Sequence, residues 1–147
     1  MAISDNAKYS RDELEKIVKR LGYIREEKKD NGDHRIFSHK IYKDLKVIIP
    51  AHKTLNENSM KNISSVIIIT MKILDMDTSI FKGKDGVEGK LHSAVKRVEK
   101  EGICVLFDRF TRNCLGIVDS EGNEAIETYI KGKRKELGIS TTTTRGI

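Results

Sequence analysis

The sequence predicts an α+β fold: an α-β-β-β-α unit over residues 10–76, then an α-β-β-α extension. Three observations predict it. A capped amphipathic helix opens the ordered part. Short alternating strands fill residues 23–50. After a glycine- and charge-rich stretch, a second set of helix and strand signals begins.

Within "YSRDELEKIVKRLGY", Ser10 and Glu13 form a capping box, while Leu14, Ile17, Val18 and Leu21 recur at helical spacing and Gly22 supplies a left-handed stop. Residues 23–52 read as two or three short strands. Asn31-Gly32 is a hairpin turn signal, His34 to His39 alternate, and "KVIIP" is β-branched and closed by Pro50, which cannot donate to a sheet ladder. In "NSMKNISSVIIITMKILDMD", Met60, Ile63, Ile67, Met71 and Leu74 fit a helical stripe, whereas "VIIIT" alone would pass for a buried strand; length favours the helix.

Residues 77–86 read as a linker or loop between a first domain, 1–76, and an extension, 87–138. The extension holds a helix on Leu91, Ala94, Val95 and Val98 with Gly102 as its stop, strands "ICVLFD" and "CLGIVD", and a final helix with Asn123 as its cap and Gly138 after it. Gly132 weakens that last helix by ~1 kcal/mol. Residues 139–147 have too little to bury and are expected to be disordered.

With 147 residues, 37% hydrophobic and 34% charged, the chain suits one ordinary globular domain or a small domain with an appendage. No apolar stretch reaches signal-peptide or membrane-span length, so the expected location is the cytoplasm, with no membrane partner. Cys104 and Cys114 have neither metal-site spacing nor scaffold density and read as core thiols. The net charge of +6 suits a polyanion partner. The excess is concentrated in residues 1–74, which hold 15 Lys/Arg against 10 Asp/Glu, while residues 75–147 hold 13 against 12.

The chemistry centres on the histidines. His34 follows a tight turn and opens a strand, where the backbone is fixed while the side chain can stay exposed. An imidazole of pKa near 6.5 can accept and return a proton at neutral pH, as attack of an RNA 2′-hydroxyl on its adjacent phosphate requires. Arg35, Lys40, Lys43 and Lys46 lie near enough in sequence to supply phosphate contacts, and His52 and Lys53 beyond Pro50 join them as RNA-binding candidates. His39, five residues from His34, alternates to the opposite strand face and is read as solvated; His92 is assigned no chemistry. Asp75 and Asp77 read as a helix-end pair, and the glycines at 83, 86 and 89 leave an anion-binding turn as a minor alternative. No metal site and no cofactor are expected.

Over residues 10–74 the chain resembles the HicA family of bacterial toxins, small messenger-RNA-cleaving proteins. The motifs that carry the resemblance are a helix closing in "LGY", the turn and strand "GDHRIF" where the family has a Gly-Ser-His-His-Ile-Phe-like run, and "VIIPAHKTLNENSMKNI" where it has a "VTIPAH"-like strand end followed by a loop and helix. The resemblance implies a double-stranded-RNA-binding-domain-like fold with Gly32, His34 and Phe37 in the turn, acid/base and core positions. The implied activity is endoribonuclease cleavage of RNA without a metal, and the implied protein partner is a HicB-like antitoxin. Asp33 replaces the family's serine and Arg35 its second histidine. The alternative reading is a non-catalytic binding module of the same fold, a regulator or mobile-element inhibitor. The second half, unlike anything in the minimal toxin, is left to extend the sheet, form a homodimer or bind a partner.

Overall fold

Helix α1 (Arg11–Arg20) forms where the capping signal predicts: the Ser10 hydroxyl accepts the Glu13 N–H at 3.2 Å. Asp12 and Glu13 in its first turn and Lys19 and Arg20 in its last complement the helix dipole. Leu14, Ile17, Val18 and Leu21 are buried. The structure, a computed structural model, describes residues 8–29, 32–43, 45–106 and 122–139. It is an α+β fold, and among these residues no helix is long and apolar enough to cross a membrane.

After Gly22, strands β2 (Tyr23–Arg25), β3 (His34–His39) and β4 (Lys46–Pro50) form an antiparallel sheet in the order β2-β3-β4. A two-strand ribbon pairs β1 (Tyr9–Ser10) with β5 (Thr54–Leu55). The β2–β3 connection takes residues 26–33 and includes a 3-10 turn at Glu27–Lys29, so it is longer than the two-residue hairpin that Asn31-Gly32 suggests. Asn31 lies outside the described residues, and Gly32 adopts the left-handed φ of 51° that such a turn demands.

Alternation then sorts the sheet. Tyr23, Phe37, Val47 and Ile49 turn inwards and are buried, whereas Ile24 (56% exposed) and Ile48 (53%) occupy the outer face with Ile36 and His34. Burying a side chain such as Phe37 stabilises the fold by ~1.5–3 kcal/mol.

Helix α2 (Glu57–Ile73) starts at Asn56, whose side chain accepts the Ser59 N–H at 2.8 Å. The ambiguous "VIIIT" run lies inside it. Ile67, Ile68 and Ile69 are successive and all buried, so the helix is covered on more than one side. It closes with Asp75 at φ 56° and with bonds from Met76 N–H to Met71 O (2.8 Å) and Asp75 N–H to Lys72 O (3.2 Å), which satisfy its last carbonyls.

The second half supplies that cover. Between α2 and α3 (Gly86–Glu101), Asp77 caps a 3-10 turn at Thr78–Ile80, and Glu88 accepts the N–H groups of Lys82 (3.0 Å) and Gly83 (3.1 Å). The glycine-rich loop thus directs two of its amides at its own carboxylate, not at an external anion. His92 Nδ1 donates to Phe81 O at 2.5 Å. Val87, Leu91 and Val95 of α3 join Ile67 and Phe37 in one hydrophobic core.

After Gly102 (φ 94°), residues Ile103–Leu106 form a 3-10 turn in place of the expected strand. The reason is spacing: Ile103 and Leu106, three apart, bury together on one side of such a turn. Cys104 is half-buried against the core. Cys114 with the second expected strand, and residues 140–147 with the expected tail, lie outside the described residues.

Helix α4 (Gly122–Glu136) contains Asn123 instead of being capped by it. Its Ile126 and Ile130 enter the same core, and Arg134 Nη1 donates to Ile73 O at 2.6 Å, fastening α4 to the end of α2. A second tie links Tyr9, Glu57 and Lys90. The Tyr9 hydroxyl donates to Glu57 at 2.5 Å, and the Lys90 ammonium pairs with the same carboxylate. Burial and that carboxylate push the Tyr9 phenol up to about 12. Burial opposes ionisation of Glu57, but Lys90 and Tyr9 together hold its carboxyl below the usual range.

Gly22, between α1 and β2, leaves no room for a side chain. Its φ is 104°, and a Cβ there would come within 2.7 Å of His39 Nε2. Gly22→Ala is therefore expected to lower the free energy of unfolding by more than ~1 kcal/mol, measured by urea titration.

Candidate nucleic-acid interface

Strand pairing decides which candidate side chains meet. In β3, His34, Ile36 and Ser38 share the outer face, and the register sets His34 opposite Pro50 and Ser38 opposite Lys46. His34 is exposed, with the backbone beside it held by a bond from Ala51 N–H to Asp33 O at 2.6 Å.

His34 and Lys46 both line a cavity of about 710 Å³ that runs along β4, over about 13 Å of strand. Its far side is formed by α2 and α4. The apolar lining includes Val47, Ile63, Val66, Ile69 and Ile73, and the polar groups are His34, Lys46, Ser59, Asn62, Thr70, Tyr129 and Lys133. Among the described residues the lining contains two lysines and a histidine but no carboxylate. Burial raises the Tyr129 phenol pKa, with Glu136 adding to the effect.

The other expected RNA contacts stand elsewhere. Arg35 lies on the inner face, where its Nη1 donates to both carboxylate oxygens of Glu15, at 3.0 and 2.9 Å. Glu15 is itself buried, and Arg11 holds the same carboxylate at 3.7 Å while donating to Ala51 O at 2.5 Å. Arg35 is therefore a structural ion-pair partner, fixed on the face opposite His34. Lys40 and Lys43 are exposed in the β3–β4 loop at the Lys46 end of the sheet, and His52 and Lys53 are exposed after Pro50 at the His34 end. None of these four lines the cavity.

His39 is a correction. It was expected in solvent and is buried, 6% exposed, because it shares the inner face with Phe37. Its ring stands edge-on to Tyr23 and stacks on Tyr42 at centroid distances of 5.5 and 5.6 Å. Nδ1 accepts the N–H groups of Ile41 (3.2 Å) and Tyr42 (3.3 Å), which requires that nitrogen to be unprotonated.

Ser59, Asn62, Thr70 and Tyr129 are the polar lining residues that sequence reasoning missed, whereas Lys133 belongs to the basic run "KGKRKELG", which reads from sequence as a solvated helix end with RNA backbone contact as its minor alternative. Tyr129 and Lys133 are spaced i, i+4 on α4 and could have been marked as one helix face, but nothing local tells which strand that face meets. No family model, curated protein or solved structure matches the chain.

Burial lowers the His39 pKa from its ordinary 6.5, against a hydrogen bond to the Leu21 backbone, and Lys40 adds a smaller push in the same direction. The folded state thus holds His39 neutral, while the unfolded chain takes up a proton below about pH 6.5, so stability falls as pH drops through and below that value. Urea unfolding of the parent at pH 7.5 and 5.5 should show this loss, and His39→Gln should show a smaller difference between the two pH values.

Proposed function

We propose that the chain is an RNA-binding endoribonuclease of toxin type, with His34 as the general acid/base. The observation that carries this reading is the exposed His34 imidazole at a cavity lined by Lys46 and Lys133 and free of carboxylates among the described residues. The element order β1-α1-β2-β3-β4-β5-α2, apart from the short β1–β5 ribbon, is compatible with the double-stranded-RNA-binding-domain-like unit that the resemblance to HicA toxins implies.

In this reading the neutral imidazole takes the proton of a 2′-hydroxyl. The O2′–phosphorus bond forms as the phosphorus–O5′ bond breaks, and the 5′ oxygen leaves with a proton from solvent. The products are a 2′,3′-cyclic phosphate and a 5′-hydroxyl. Lys46 and Lys133 neutralise phosphate charge along the strand. Positioned acid/base catalysis of this kind contributes ~10²–10⁴ in rate.

A protein partner is a second part of the proposal, favoured by the outer sheet face. Ile24, Ile36 and Ile48 make an apolar patch beside His34, suited to contact with a HicB-like antitoxin that would cover the imidazole. The same patch would serve the non-catalytic binding module. The two are separated by one comparison. His34→Ala should lower cleavage of a labelled RNA at least ~100-fold, abolish growth arrest on induction, and leave the circular dichroism spectrum unchanged. Cleavage persisting in that variant would overturn the role of His34, and a parent protein that cuts no tested RNA would favour the binding module.

A further inference from the structure

We infer that helix α4 is a second wall of the RNA site, with Tyr129 stacking on a nucleobase and Lys133 contacting a phosphate, and that the groove takes a single RNA strand, not a duplex. The inference rests on the reading of His34 as a ribonuclease acid/base, and it adds residues from the half of the chain that the HicA resemblance does not reach.

Three features of the groove carry it. The first is composition. Much of its lining is aliphatic, provided by β4 and α2, and a base can lie against such a surface, whereas duplex RNA offers its outer phosphates and 2′-hydroxyls and hides its base faces. Binding of a single strand instead combines stacking surfaces with a cationic track.

The second is arrangement. Tyr129 and Lys133 are one turn apart on α4, so an aromatic ring and an ammonium approach the cavity side by side, across from the strand that carries Lys46 and faces His34. Lys133, half-buried, also pairs with Glu136 at 3.5 Å, but Glu136 is 71% exposed, and an i, i+3 pair with one partner in solvent is weak enough for a phosphate to displace. The third is rigidity. Ile126 and Ile130 seat α4 in the core and Arg134 bonds the Ile73 carbonyl, so the wall is held in place before any ligand arrives.

The test measures binding apart from cleavage. In a His34→Ala background, fluorescence anisotropy with a labelled single-stranded RNA of about eight nucleotides should show Tyr129→Ala weakening binding about tenfold and Tyr129→Phe restoring most of it, because the ring and not the hydroxyl makes the contact. Lys133→Ala should weaken binding and reduce the slope of log affinity against log salt by about 0.7, with Lys133→Arg retaining it. A blunt duplex of the same length should bind more weakly than the single strand. Unchanged affinity in Tyr129→Ala and Lys133→Ala, with the parent binding RNA and requiring His34 to cut it, overturns the assignment of α4 and leaves the ribonuclease reading standing. Equal or tighter binding of the duplex overturns the single-strand assignment, and no RNA binding by the His34→Ala protein or by the parent overturns both readings.

Discussion

Helix α2 is the element on which the rest of this structure depends, because its later turns are buried on more than one side. Met60, Ile63, Ile67 and Met71 make the stripe an amphipathic helix would need, but Ile68, Ile69 and Ile73 are buried as well. A three-stranded sheet and one helix can cover only part of such a cylinder, and leaving all of the remainder in water would be costly. The second half of the chain answers that demand, packing α3 and α4 against α2 and adding its own apolar residues to the same core.

The polar ties follow the same logic. Each joins the two halves at the rim of the apolar contact. Glu57, in the first turn of α2, gathers Tyr9 and Lys90, and the last turn of α2 receives Arg134. The Arg134 guanidinium meets a carbonyl at the negative end of the helix, where a cation is favoured. The Arg11-Glu15-Arg35 cluster works in the other direction, binding α1 to the sheet through a buried carboxylate whose two arginines neutralise it.

How much of this was legible varies with the range of the interaction concerned. The capping of α1 by Ser10, the glycine stop at Gly22 and the strand ending at Pro50 are local, and the sequence read alone places them correctly. The inner position of His39 was legible too, since alternation puts it on the same face as Phe37, and only the step from opposite face to buried face was not taken. By contrast, Ile103 and Val105 are β-formers by composition, and only the shared contact of Ile103 and Leu106 with the core makes the run a 3-10 turn. The candidate site divides in the same way. His34 and Lys46 could be picked out from one hairpin, but Arg35, next in sequence, belongs to Glu15, twenty residues away. Tyr129 and Lys133 come from a helix whose placement depends on α2 being covered.

The burial of α2 on more than one side also has a consequence in time. A ribosome adds ~5–20 residues per second, so roughly 3–12 s separate the synthesis of Ile73 from that of Arg134. During that interval α1, the sheet and α2 can assemble, while the isoleucines that α3 and α4 will cover still face solvent. Nascent chains of this protein therefore pass through a stage with a sticky helix on show, between the completion of α2 and the arrival of α4.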